Sequence, residues 1–114
     1  MESSSHREAT YICSGCLTQH PRARIHVLPT WNEHVADFVT SFRCDRCWQE
    51  ALAWTRLKAA VLTPATREQF CQFLERHGGG EAAGIIRQAT LEDAACQVGI
   101  VLDCIEGDRL RLMP

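Results

Sequence analysis

The chain has 114 residues, of which 46% are hydrophobic and 23% are charged, and its formal net charge at pH 7 is -2. This composition is ordinary for a folded globular protein and excludes collagen-like and strongly charged disordered chains. No window approaches the roughly 18 consecutive apolar residues of a membrane span, and the length fits one domain.

The N-terminal segment and the cysteine count bear on the compartment. Residues 1–10 are mostly polar and lack the basic start and apolar run of a secretory signal, so we expect a flexible tail. Seven cysteines cannot all pair within one chain, which argues against a secreted disulfide scaffold. We therefore expect a cytoplasmic protein with reduced thiols, some of which bind metal.

Two strands are predicted in the first half of the chain. Arg22–Leu28 alternates polar and apolar side chains, which predicts a half-buried strand that ends at Pro29. Its inner face would carry Ala23, Ile25 and Val27. Asp37–Arg43 is rich in strand-forming residues, and the two strands would form a hairpin with its loop around residues 31–33.

A helix is predicted directly after the hairpin. Trp48–Leu62 is rich in helix formers and contains neither glycine nor proline. Its apolar residues cover two faces, so one face would pack on the hairpin and the other would be covered by C-terminal helices or by another chain. The first face consists of Trp48, Leu52, Ala59 and Leu62, and the second of Trp54, Leu57 and Val61.

The remainder of the chain predicts a helical part. Thr63 followed by Pro64 is a helix-start signal, and the helix would run to His77 before the candidate hinge Gly78–Gly80. A further helix would begin after the cap residue Thr90. Its buried side would consist of Leu91, Ala94, Ala95, Val98, Val101, Leu102 and Ile105. A short terminal strand is predicted over Arg109–Leu112.

Four cysteines in two Cys-x-x-Cys turns predict a metal site. Cys13 and Cys16 form the first pair, with Gly15 available for a backbone conformation that other residues resist, and Cys44 and Cys47 form the second. Zinc prefers four tetrahedral ligands, and each short turn directs two thiolates toward one point. The 27 residues between the pairs are enough for a hairpin. We therefore expect one structural Zn²⁺.

The order of elements in residues 11–62 resembles the treble-clef group of zinc fingers. The knuckle Ile12–Cys16 is followed by a predicted hairpin, and Cys44–Cys47 stands at the start of a predicted helix. A zinc ribbon, with its second knuckle between strands, is the nearest alternative, and the helical composition after Cys47 favours the treble clef. The resemblance brings no catalytic residues, and it does not choose among nucleic-acid binding, protein interaction and enzymatic roles.

Other residues that can bind metal have simpler interpretations. His20, His26 and His34 are possible replacement ligands, but four thiolates already complete a closed site. The remaining thiols stand among apolar helical positions, and we expect them to be small core residues rather than reactive groups. They are Cys71, Cys96 and Cys104.

Two patterns bear on nucleic-acid binding. Basic side chains on the strand and beside the second cysteine pair could contact phosphates or simply be solvated. They are Arg22, Arg24, His26, Arg43 and Arg46. Ala95, Gly99 and Ile105 loosely match a helix-turn-helix unit, but the second helix of such a unit would present acidic residues to DNA phosphates.

The sequence thus predicts an α+β protein. A zinc-stabilised module over residues 11–62 would be followed by a helical part over residues 63–114 that packs on it. We expect a non-catalytic protein that acts as an adaptor for a protein partner or forms a homodimer. The alternative is a nucleic-acid-binding regulator. An enzyme is least expected, because a closed four-cysteine site leaves no open position for water and no catalytic constellation stands out.

Overall fold

The computed structural model describes residues 9–114, in which two antiparallel β-hairpins precede four helices. The α+β class is therefore confirmed. Most of the predicted tail, residues 1–8, lies outside the described residues. The strands are β1 (Thr10–Ile12), β2 (Gln19–Pro21), β3 (Ile25–Asn32) and β4 (Asp37–Cys44), and the helices are α1 (Trp48–Ala59), α2 (Pro64–Arg76), α3 (Gly80–Gln88) and α4 (Leu91–Glu106).

The first hairpin, β1–β2, was not predicted. The first cysteine turn connects its two strands. Its register pairs Thr10 with Pro21 and Ile12 with Gln19. Leu17 has a φ of 63° in the connecting turn, a backbone conformation that a non-glycine residue adopts only when its surroundings hold it there. Strands of three residues are too short for an alternating pattern to reveal them.

The second hairpin, β3–β4, is the predicted one with shifted limits. Residues 22–24 form a 3₁₀ turn rather than strand, and Ala23 is exposed, so its expected inward position was wrong. β3 begins at Ile25 and continues through Pro29, which stands opposite Thr40. Proline is tolerated because, within residues 9–114, β3 pairs only with β4 and its other edge carries no ladder hydrogen bonds. The loop lies at residues 33–36, after the predicted position.

Helix α1 covers the free edge of β3. The buried Thr55 hydroxyl lies 2.5 Å from the Pro29 carbonyl oxygen and 3.1 Å from that of Ala51. A hydroxyl has one proton, so the two carbonyls share it. Because a buried carbonyl without a donor costs free energy, this contact holds the strand against the helix.

Helices α2 and α3 form a tight helical corner. Thr63 and Thr66 make the capping box that starts α2, which ends at Arg76. Gly78 follows with a φ of 89°, a conformation that favours glycine, so the predicted hinge is a helix-ending turn. The short helix α3 was missed because it begins at Gly80 in a run of glycines, and Gly84 in its interior weakens helix formation by about 1 kcal/mol relative to alanine.

Helix α4 is continuous from Leu91 to Glu106, and Gly99 lies inside it. The helix-turn-helix interpretation is therefore wrong. The cap was predicted correctly, since the Thr90 side chain accepts a hydrogen bond from the Asp93 N–H. The predicted buried side lies mostly in the core, with Leu91 and Ala95 only half-buried.

The C-terminal segment packs without forming the strand predicted over residues 109–112. Its backbone carbonyls accept hydrogen bonds from side chains rather than from a neighbouring strand. The Arg22 guanidinium donates to the Leu112 carbonyl at 3.1 Å. His77 Nδ1 donates to the Met113 carbonyl at 2.6 Å, which leaves Nε2 to accept from the Thr40 hydroxyl at 2.7 Å. These contacts tie the end of the chain to both hairpin and helices.

One continuous core joins the second hairpin to all four helices. Phe38 of β4 meets Phe70 of α2 edge-on, with ring centroids 5.4 Å apart, and both side chains are fully buried. On the surface, Arg87 of α3 pairs with Glu68 and Glu75 of α2, and its guanidinium holds the pKa of both carboxyls below their usual values. Within residues 9–114, no helix has the length and apolar character that crossing a bilayer requires.

Candidate metal centre

The two Cys-x-x-Cys turns place four sulfur atoms at one point. Cys13 and Cys16 lie in the turn between β1 and β2, and Cys44 and Cys47 lie between the end of β4 and the start of α1. All four Sγ atoms lie within 4.8 Å of one another, and those of Cys16 and Cys44 are 3.8 Å apart. A tetrahedral ion with metal–sulfur bonds of about 2.3 Å needs sulfurs about 3.8 Å apart, so the set fits such an ion.

Backbone N–H groups point at the buried sulfur of Cys13. The N–H groups of Gly15 and Cys44 each donate to Cys13 Sγ at 3.3 Å. Burial raises the pKa of this thiol, but these donors, together with the Cys16 N–H, outweigh burial and lower it overall. The fold therefore prepares Cys13 to act as a thiolate, which is the form that binds metal.

The sulfur atoms of Cys16 and Cys47 differ in environment. Cys16 is exposed, and hydrogen bonds from the Thr18 hydroxyl, at 2.9 Å, and the Thr18 N–H lower its pKa to about 5. Cys47 is half-buried, and the adjacent sulfurs of Cys13 and Cys44 raise its pKa to about 12. Four thiols so close cannot all ionise without a cation among them, and a bound divalent cation deprotonates coordinating thiols. The donor set therefore suits a metal ion.

Gly15 is required for a different reason from the one predicted. Within residues 9–114, Gly78 is the glycine with positive φ, so Gly15 does not occupy a conformation that others resist. A Cβ atom on Gly15 would lie 3.1 Å from Cys47 Sγ and 3.0 Å from a guanidinium nitrogen of Arg43. The absence of a side chain lets the knuckle approach the second cysteine turn closely.

Replacing Gly15 by alanine should weaken metal binding. The added methyl group would push Cys47 Sγ out of the ligand set, and we expect Gly15→Ala to lower metal affinity by about 10- to 100-fold. Competition with a chromophoric chelator measures this. Gly84→Ala is the matched control, because its added Cβ would meet no atom within 4 Å apart from its chain neighbours and the backbone of its own helix. Equal affinity of the two variants would mean that the knuckle accommodates the methyl group.

The three candidate histidines lie outside the sulfur cluster, whose members are cysteines alone. His20 Nε2 bonds to the Thr18 hydroxyl at 2.7 Å, and His26 Nε2 lies 2.8 Å from Asp45. His34 belongs to the loop after β3. Of the other thiols, Cys71 is buried as expected, Cys104 is half-buried and Cys96 is exposed, so the core prediction was wrong for Cys96. That residue falls on the solvent side of α4.

Arg22 and Arg24, the candidate basic residues just before β3, lie in different environments. Arg22 and Arg24 lie in the 3₁₀ turn, so they do not alternate along a strand. The Arg22 guanidinium donates to the carbonyls of Ile25 and Leu112, which occupies it inside the protein. Arg24 is exposed.

The basic residues near the second cysteine turn are likewise separated. His26 is held by Asp45 and stacks on Trp48, with ring centroids 4.4 Å apart. Arg43 donates through Nε to the Ser41 hydroxyl at 2.8 Å, and Arg46 is exposed. The structure therefore does not gather the five candidates into one free basic face.

One face of α1 remains exposed. Trp54, Leu57 and Val61 are 66%, 66% and 72% exposed, so the C-terminal helices do not cover the second apolar face predicted for this helix. The helix ends at Ala59, before the predicted Leu62, so Val61 lies just beyond it. We call these three residues the α1 face. Trp31 and Lys58 lie beside it, and sequence reasoning missed both, because their proximity arises only when β3 packs on α1.

Helix α1 connects the cysteine cluster to the α1 face, since Cys47 is the N-cap residue of this helix. No protein-family model, curated protein or solved structure matches this chain. What the protein does is therefore inferred from this geometry alone.

Proposed function

We propose that the cluster binds one structural zinc ion and that residues 11–62 form a treble-clef-type module. The order of knuckle, hairpin and helix supports this class, as does the position of the second cysteine pair at the start of α1. Four sulfur ligands in tetrahedral reach favour zinc over the hard cations that oxygen binds. Four protein ligands complete its coordination, which supports a non-catalytic role.

We propose that the protein acts as an interaction module for a protein partner in the cytoplasm. The exposed α1 face is the observation that carries this proposal. A soluble protein rarely leaves contiguous large apolar side chains in water unless another molecule covers them. The metal-bound turn fixes the start of α1, so zinc would hold this face in place against the hairpin. Nucleic-acid binding has less support, because Arg22 and His26 make hydrogen bonds within the protein and the five basic candidates do not share one free face.

Affinity capture from the native host with variants tests the interaction role. We expect the wild-type protein to retain a specific partner and Leu57→Glu to lose it by at least about tenfold, since a carboxylate in the centre of an apolar contact must be desolvated. Quantitative mass spectrometry of the captured proteins gives the ratio. One arm is treated with nuclease.

The matched control is Ile100→Glu, which places the same charge on an exposed apolar position of α4. It should retain the partner, as should the nuclease-treated arm. Loss of capture after nuclease treatment would favour the nucleic-acid alternative. Equal capture by both variants would remove the α1 face from the interaction.

A further inference from the structure

A groove of about 480 Å³ lies between the second hairpin and α1 and continues onto the α1 face. Its lining includes Thr30, Trp31, Ala51, Trp54, Leu57 and Lys58. Because Trp54 and Leu57 belong to both the groove and the α1 face, a molecule that covers one also contacts the other. The volume lies within the range of binding pockets, and its lining is largely apolar as in such sites.

The charge of the groove favours an acidic partner. Lys58 Nζ lies 4.1 Å from the centre of the Trp31 ring, and it forms no ion pair with an acidic group of residues 9–114. The other cation of α1, Arg56, is already paired with Asp103 and Glu106 at 2.8 and 2.6 Å. Lys58 is thus the cation of this helix that remains available for a carboxylate.

Two further charged groups border the groove. Arg43 adds a second cation, oriented by Ser41, and Glu33 adds one carboxylate. Neither forms an ion pair within the described part of the chain. The two cations exceed the single acid by one charge, so the rim favours negative groups.

We infer that the groove and the α1 face bind an acidic amphipathic helix of a partner protein. This inference rests on the interaction role proposed above and specifies the partner. Trp54 and Leu57 stand at positions i and i+3 on α1, and Val61, two residues beyond the end of the helix, extends the exposed apolar patch, which matches the apolar stripe of a second helix. Carboxylates beside that stripe would meet Lys58 and Arg43.

Designed peptides test the partner class. The first is about 15 residues long, with leucines at i, i+3, i+4 and i+7 and glutamates flanking them; the second has lysines in place of the glutamates. We expect zinc-loaded protein to bind the acidic peptide at least about tenfold more tightly than the basic one, and raised salt to reduce this preference. Calorimetry measures both affinities, and sedimentation identifies self-association of the protein.

Charge reversal in the protein distinguishes electrostatic attraction to Lys58 from nonspecific hydrophobic binding. Lys58→Glu should lower the affinity for the acidic peptide by about three- to tenfold and raise the affinity for the basic peptide. Arg24→Glu, at an exposed position on the 3₁₀ turn, should change neither affinity. The gain for the basic peptide also shows that the variant is folded.

The outcomes separate this inference from the proposed interaction role. If Leu57→Glu abolishes partner capture but neither peptide charge nor Lys58→Glu affects binding, the interaction role stands and the acidic-helix inference is wrong. A dimer that Leu57→Glu dissociates would overturn the inference in favour of a second copy of this chain as the occupant. Binding of both peptides with equal affinity would also contradict it.

Discussion

Removal of the metal should unfold the first hairpin and the two cysteine turns. Metal binding supplies on the order of 10 kcal/mol of folding free energy in small zinc modules, and little else holds this part of the chain. Around the sulfurs, the buried cluster consists of Cys13, Ile25 and Cys44, with Tyr11, Phe42 and Cys47 packed against it. Such a cluster buries too little apolar surface to order two cysteine turns without the ion.

Cys44→Ser measures this effect without a chelator. We expect the variant to lose its bound metal and its hairpin chemical shifts in NMR spectra, with the loss spreading to the second hairpin because Cys44 is the last residue of β4. Cys96→Ser is the matched control, since it removes an exposed thiol distant from the cluster in sequence. An unchanged spectrum for Cys44→Ser would show that packing alone holds the turns.

Truncation of Phe70 to alanine should destabilise the whole chain by about 3–5 kcal/mol. The ring is fully buried, and its edge-on contact with Phe38 joins α2 to the second hairpin. Because this contact links the two parts, we expect one cooperative unfolding transition in denaturant, shifted to lower concentration. Metal should remain bound in the folded variant, since all four cysteines lie outside α2.

The exposed Ile100 of α4 is the control for this truncation. Ile100→Ala should change the free energy of unfolding by less than about 1 kcal/mol, because half of that side chain is already in water. If Phe70→Ala instead produced two separate transitions, residues 11–62 and residues 63–114 would be independent folding units.

Local signals predicted most of the elements that the structure contains. The starts of α2 and α4 were correct because Thr63 and Thr90 are caps whose hydrogen bonds form within a few residues of sequence. Helix α3 gave no such signal, and burial of Ala83 and Ile86 against its neighbours stabilises it despite two glycines. The terminal strand failed because alternation indicates exposure and not the presence of a strand partner.

The difference between local signals and tertiary packing also decided which parts of the sites could be predicted. The sulfur cluster was predictable because each Cys-x-x-Cys turn is local, and only one pairing of the two turns had to be assumed. The groove was not, because Trp31 and Lys58 are brought together by the packing of β3 on α1. The steric role of Gly15 could not be predicted for the same reason, since a side chain at this position would contact Cys47, which is distant in sequence.

Elemental analysis of the purified protein, combined with its native mass, counts the metal ions that each folded chain holds. We expect about one zinc per chain, with the protons of the four cluster thiols displaced and the metal lost when the chain unfolds. Iron in place of zinc would keep the site and change its occupant. A fully folded chain that contains no metal would contradict a structural metal site.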